Sequence, residues 1–214
     1  STNNFDSLFN SNISKIILSI TILFSYFSLF FTFNILFFKK RNINYLSEDF
    51  YLVIYLLIII SFIFVFFNFD NNFLNILVSI VSSVSNLGIS FNDTPKNLSF
   101  IFLILVIIGG SFFSTSSGLR VIKVLSLIKF SLNNLLSHSK PKQVYLNKVA
   151  LTKSNTNNND INKYFLTIII FLISLFTITL LLTISEIDLE NAFKIGILTI
   201  MNTVNSSMYG VADF

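Results

Sequence analysis

Three features of the 214-residue chain predict an all-α polytopic membrane protein assembled from repeated helix–dip–helix units. Hydrophobic residues make up 53% of it, charged residues only 11%, and the mean hydropathy is +0.77. A soluble domain carries about 25% charged residues, so this deficit excludes a water-soluble core. Four charge-free runs, residues 16–38, 50–69, 97–119 and 164–185, are long enough to cross a bilayer as helices. Two amphipathic runs, 73–84 and 189–204, are too short or too polar to span and are expected to dip in and return. The expected architecture is therefore about four spanning helices plus two re-entrant segments.

The elements follow in chain order. A polar stub, 1–12, precedes the first span, and Lys39, Lys40 and Arg41 close it. The second span opens at Phe50 and ends before Asp70. Residues 73–84 then run into Ser85-Asn86-Leu87-Gly88, read as an irregular strand. Irregular backbone at membrane depth is tolerated only where it is buried in protein or lines a wet cavity, so this strand argues for a conduction path. The third run breaks at Gly109-Gly110 and again at Ser114-Thr115-Ser116-Ser117-Gly118. Residues 131–162 form the one sizeable polar segment, and its tract SNTNNNDIN at 154–162 predicts a flexible loop. His138 lies in this segment and reads as a solvated side chain. Glu186, Asp188 and Glu190 lead from the last span into 189–204.

Charge sets the orientation. Eleven of the fourteen basic residues fall on one side: Lys39, Lys40, Arg41, Arg120, Lys123, Lys129, Lys140, Lys142, Lys148, Lys153 and Lys163. That side is expected to be cytoplasmic. Asp6, Asp70, Asp93, Glu186, Asp188 and Glu190 fall on the other, with Lys15, Lys96 and Lys194. Alternation then makes both short runs dip from outside. If either spanned, the basic loops would lie on opposite sides. The basic residues form no single patch, so no nucleic-acid partner is expected; the partner composition implies is the lipid bilayer. The absence of cysteine excludes disulfides and thiolate metal sites. No signal peptide is expected, and the start at Ser1 reads as a segment of something longer or a processed chain.

An order of span, acidic turn, short dipping run and polar strand occurs twice, over 50–91 and over 164–210. A dipping helix that enters from outside points its C-terminal carbonyls, and their partial negative charge, toward mid-membrane, where they favour a cation. Backbone carbonyls in the strand beyond can replace an ion's hydration shell, and Gly88 supplies an unusual φ cheaply. No ionisable side chain lies in the apolar runs, which speaks against a buried proton relay. The break at Gly109, Gly110, Ser111, Ser114, Thr115, Ser116, Ser117 and Gly118 has two readings: a gate below the strand, or close helix packing through small residues. Arg120 and Lys123 follow it and read first as positive anchors reaching the interface, and second as residues near that gate.

Several of these segments resemble a known family. The run GGSFFSTSSGLRVIKVLSLIKF at 109–130 is similar to the signature of Trk/Ktr-type potassium transporter membrane subunits. Ser85-Asn86-Leu87-Gly88 resembles that family's third filter, with Ile89 in place of its usual Phe. Ser137-His138 followed by Pro141 resembles its cytoplasmic His-Pro region. Ser1 to Asp6 resembles the residues after its second filter, and Ser47 to Leu52 the start of its third repeat.

The resemblance implies four potassium-channel-like M1–pore helix–M2 repeats around one pore. On it, residues 1–47 are the end of repeat two, 48–135 repeat three, 136–163 a cytoplasmic loop, and 164–214 repeat four up to its filter. It also implies monovalent-cation, specifically potassium, uptake across the cytoplasmic (inner) membrane. Potassium is then substrate, with no cofactor and no enzymatic chemistry. The implied partners are a second copy, forming a homodimer, and a cytoplasmic nucleotide-binding regulatory ring subunit of the Trk A/Ktr A type. Ion-binding positions carry over to the backbone of Ser85, Asn86, Leu87 and Gly88, and to a fourth site at Val204, Asn205 and Ser206; the gate carries over to 109–118. In the fourth filter Asn205 stands where the family has Gly, while a shifted alignment puts Ser207 there; both stay open. One full repeat cannot enclose a fourfold pore, so the chain alone is expected not to conduct. A truncated or decaying non-conducting relative, or a membrane scaffold or assembly subunit, are the alternative readings.

Overall fold

The computed structural model describes residues 11–27, 43–66, 73–89, 91, 98–111, 114–139, 158–203 and 207–211. The described residues form seven α-helices: α1 (Asn12–Tyr26), α2 (Ile43–Phe66), α3 (Phe73–Val84), α4 (Ser99–Ile107), α5 (Val121–Ser139), α6 (Asn158–Ile184) and α7 (Leu189–Ile200). A 3-10 turn at Ser207–Tyr209 follows. Two-residue strands β1 (Ile108–Gly109) and β2 (Leu119–Arg120) pair in parallel, Ile108 opposite Leu119 and Gly109 opposite Arg120. They join the two ends of one loop, so the fold is all-α.

Helix α3 lies at the centre, packed along α1 and against α4. Its residues from Asn75 to Val84 are buried except for Leu77. Three of them are serines, and two keep their hydroxyls occupied within the helix. Ser79 donates to the Asn75 carbonyl at 2.9 Å and Ser83 to the Ser79 carbonyl at 2.8 Å. Helix α6 packs against α7 and α5, and the 3-10 turn rests on α4. Between helices in lipid, apolar burial provides little drive because the tails are as apolar as leucine; packing contacts and polar links decide the assembly.

The apolar side chains that face outward fit lipid surroundings. Leu57, Ile58 and Phe62 on α2, and Phe165, Ile173, Phe176, Leu181 and Ile184 on α6, are exposed. Among the described residues, one helix is long and apolar enough to cross a membrane, Ile161–Ile184, with a mean hydropathy of 2.8. The Asp49–Val65 stretch of α2 falls just short of that length. The other two expected spans are interrupted.

The first interruption corrects the reading of 16–38 as one helix. Helix α1 closes at Tyr26, and Phe27 is extended at φ −78°, ψ 165°. No Gly or Pro causes this. Donors from elsewhere in the fold take the carbonyls of Ser25 and Tyr26, which a continuing helix would need for itself. The second interruption, after Ile107, is the one expected at Gly109-Gly110. A further correction concerns the polar segment 131–162. Helix α5 continues to Ser139 and α6 already starts at Asn158, so the predicted flexible tract 154–162 is helical from Asn158 onward. Polarity does not stop these helices, since Asn, Lys and Ser all accept helical backbone when a long helix propagates into them. Likewise α2 starts at Ile43, ahead of the expected start near Ser47.

Candidate ion site and intramembrane loop

The two short helices end in the same way. After α3, the N–H groups of Ser85, Asn86 and Leu87 donate to the carbonyls of Val81, Ser83 and Ser82. After α7, Met201, Asn202 and Thr203 donate to Ile197, Thr199 and Leu198 in the same register. In each, the residue two places past the helix is an Asn in the left-handed region, Asn86 at φ 62° and Asn202 at φ 54°. This is the Schellman arrangement, and Asn is the non-glycine residue that best accepts it. Counted from these matched ends, Val204 takes the sequence place of Gly88. Val204, Asn205 and Ser206 lie outside the described residues, as does the side chain of Ser207.

Beyond α3 the strand is tied back to one residue. Leu87 N–H donates to the Ser82 carbonyl at 3.0 Å, and Ile89 N–H donates to the Ser82 hydroxyl. In a trans peptide the carbonyl points opposite to the following N–H. With no cis bonds in the described backbone, the carbonyls of Asn86 and Gly88 therefore both turn away from Ser82, to one side. Gly88 has φ 71°, as its expected role requires. Leu87 is exposed, while Ser85, Asn86 and Gly88 are buried. The Ser85 hydroxyl donates to the Ile22 carbonyl of α1 at 3.4 Å.

The Asn86 side chain has a separate part. Its amide donates to the Val106 carbonyl of α4 at 2.8 Å and lies 3.5 Å from the Met201 carbonyl at the end of α7. Val106 is among the last residues of α4, whose carbonyls have no helical partner, so the amide satisfies a carbonyl exposed by the helix break. The two helix C-termini thus converge around one side chain, and Asn86 Oδ1 is buried without a hydrogen-bond partner among the described residues.

The loop between Gly109 and Gly118 is held closed at its neck and docked against α1. A Cβ on Gly109 would overlap the Ser117 carbonyl, and one on Gly110 would overlap the Tyr26 carbonyl. Gly118, at φ 95°, packs on Gly109 from the other side. Ser111 N–H donates to the Tyr26 carbonyl at 3.1 Å, Ser116 N–H to the Ser25 carbonyl at 3.2 Å, and the exposed Thr115 hydroxyl to the same Ser25 carbonyl at 3.3 Å. Ser116 Oγ accepts from Gly110 N–H at 3.0 Å and shares a hydrogen bond with Ser114 Oγ at 2.9 Å. Ser117 donates to the Met201 carbonyl. The loop therefore satisfies the broken end of α1, supplying donors for carbonyls that the helix leaves unpaired.

Arg120 folds back onto this loop. Its guanidinium donates to Ser114 Oγ and to the Ser116 carbonyl, both at 2.7 Å, and to the Ser114 carbonyl at 3.4 Å. A planar, always-charged fork suits this multidentate hold better than a lysine would. Lys123 is half-buried in the first turn of α5, one turn farther on.

Sequence reasoning misses three residues. Ser82 holds the strand, and its signal is a polar residue inside an otherwise apolar dipping run. The Asn86 side chain escapes a reading that uses only its backbone. Lys15 enters the sequence reading for topology alone. Its amine donates to Asn75 Oδ1 at 2.6 Å and sits 4.9 Å above the Phe91 ring, tying α1, α3 and the segment past the strand together. At the entry of α7, Lys194 donates to Glu190 Oε1 at 2.6 Å and to the Gly210 carbonyl at 3.1 Å. This contact lowers the Glu190 carboxyl from its ordinary value, by the hydrogen bond first and the charge second. No group of three or more His, Cys, Asp or Glu side chains comes together among the described residues.

No protein-family model matches the chain, and no curated protein does. Among solved structures, the chain is similar to the crystal structure of the potassium transporter TrkH from Vibrio parahaemolyticus, with a TM-score of 0.74 and 20% sequence identity. The match covers 95% of this chain and 48% of that one, so the chain spans about half the length of that transporter. At this identity the likeness is one of fold.

Proposed function

We propose that the chain is part of a Trk/Ktr-type potassium uptake pathway, passing a monovalent cation along the carbonyls of Ser85, Asn86, Leu87 and Gly88. The observation that carries the reading is the convergence of the α3 and α7 C-termini, with the Asn86 and Gly88 carbonyls turned to one side. Helix C-termini bear partial negative charge, and carbonyl oxygens at a fixed spacing replace a cation's hydration shell. The likeness in fold to a potassium transporter supports the same reading. A fourth coordinating stretch at Val204, Asn205 and Ser206 belongs to the proposal.

The loop from Gly109 to Gly118 is the gate of this reading, with Arg120 as its internal staple. The basic side of the chain, including α5, faces the cytoplasm of the inner membrane. The division into repeats at 1–47, 48–135, 136–163 and 164–214, a homodimeric assembly, and a nucleotide-binding ring below it are part of the same proposal. The test is potassium uptake in a transport-deficient cell expressing the intact parent gene that contains this sequence. Uptake is expected, and Arg120→Met should raise it while Arg120→Lys should do so less. Protein present in the membrane with no uptake would sink the reading.

A further inference from the structure

The Met201 carbonyl is where otherwise separate parts of the molecule meet. It lies in the turn that closes α7, and Met201 is buried. It accepts the Ser117 hydroxyl of the loop, 84 positions away in sequence. It also faces the Asn86 amide, whose firmer hydrogen bond goes to the Val106 carbonyl at 2.8 Å. One carbonyl and one amide thus join the ends of α3, α4 and α7 to the loop. The rest of the loop is anchored differently, on Ser25 and Tyr26 of α1. Among the described residues, Ser117 is therefore the loop residue whose side chain ties it to α7.

We propose that Ser117 and Asn86 are positioning residues which, through the Met201 carbonyl, make the loop and the C-terminal end of α7 move as one unit. The consequence for ions rests on the transport reading above: the loop and the end of α7 shift together, so gating and cation preference change together. The physical reason is the shared acceptor, which the loop and the end of α3 both hold. When the loop departs, this carbonyl keeps only the Asn86 amide and the Thr203 hydroxyl, both at 3.5 Å, so the end of α7 shifts to bring one of them closer. The last turn of a helix is the part able to do so, because its carbonyls have no helical partner. A loop acting only as a plug would leave α7 unchanged.

Amide hydrogen exchange on the full protein in lipid nanodiscs decides between these. In Ser117→Ala, exchange should rise about threefold to tenfold both in the loop, at 114–119, and at the end of α7, at 199–203, as expected when one tertiary hydrogen bond is lost. Ser117→Thr, which keeps the hydroxyl, should restore both to the wild-type rate. Faster exchange in the loop alone, or in neither segment, overturns the proposal. In uptake assays the same Ala variant should lower the preference for potassium over sodium by a similar factor. A raised flux with unchanged preference also overturns it. A wild-type protein that takes up no potassium counts against the transport reading, while the exchange arm still decides the junction.

Discussion

Helices α3 and α7 close with the same three backbone bonds, yet the Asn that ends α3 is buried and bonded to two other helices, whereas the Asn that ends α7 is exposed. The local geometry is set by the left-handed Asn in both. What differs is how much else depends on it. Asn86 satisfies a carbonyl freed by the α4 break, and Ser82 one turn back offers a hydroxyl to the strand. The residue in the place of Ser82 on α7 is Leu198, which has no hydroxyl to offer. One short helix end is a hub; the other is a local turn joined to that hub through its Met201 carbonyl.

The largest effect expected is from Gly109→Ala. The added carbon would meet the Ser117 carbonyl backbone, which cannot rotate away, and the loop that supports the hub would have to open. Overpacking of this kind costs about 3 kcal/mol or more where backbone opposes backbone, and thermal unfolding in detergent should show a correspondingly large drop in midpoint. Next comes the direct comparison of the two asparagines. Asn86→Ala loses the left-handed preference and strands the Val106 carbonyl, a cost of about 2–4 kcal/mol, while Asn202→Ala loses only the conformational part, about 1 kcal/mol. Equal losses would mean that the hub description is wrong. The glycine variants sharpen it further: Asn202→Gly should be near neutral in the same assay, and Asn86→Gly should not.

Ser82→Ala should matter less for stability than Asn86→Ala, costing about 1–2 kcal/mol, because only the Ile89 N–H loses its partner. Its larger signature is expected in the preference among potassium, rubidium and sodium. The Asn86 and Gly88 carbonyls keep their common direction through the two bonds to Ser82, and selectivity unchanged in Ser82→Ala would detach that serine from the proposed ion path. The smallest effect is at the α7 entrance. Glu190 is exposed, and its lowered carboxyl means that its contact with Lys194 is present above the ordinary glutamate range and lost as pH falls through the lowered value. The slight midpoint difference between wild type and Glu190→Gln at neutral pH should therefore vanish in acid. A difference that grows in acid would assign the contact to something other than the carboxylate.

Much of this organisation is legible in the residues themselves. The short helix Phe73–Val84 has the bounds that its apolar run predicts, and Gly88 has the positive φ that its place in the strand requires. The break after Ile107 follows from two glycines whose missing side chains make room for backbone. The end of α1 at Tyr26 is not legible, because nothing local stops that helix. It stops because Ser111 and Ser116, far along the chain, supply the hydrogen bonds its carbonyls take. The same holds for Arg120. A basic residue after an apolar run looks like an interface anchor, and only its hydrogen bonds to Ser114 and Ser116 show that it turns inward. Periodicity reports which stretches are helical, while tertiary donors decide where two of those stretches end.

The junction at Met201 also dictates an order of assembly. When a ribosome delivers this chain to a membrane, Asn86 can reach Val106 early, across 20 positions, but must wait 115 positions for Met201. Until then Ser117 and Asn86 hold donors that no lipid tail can satisfy. The half-inserted chain is therefore marked by polar groups that a chaperone or protease can recognise, and arrival of the α6–α7 hairpin is the event that removes the mark.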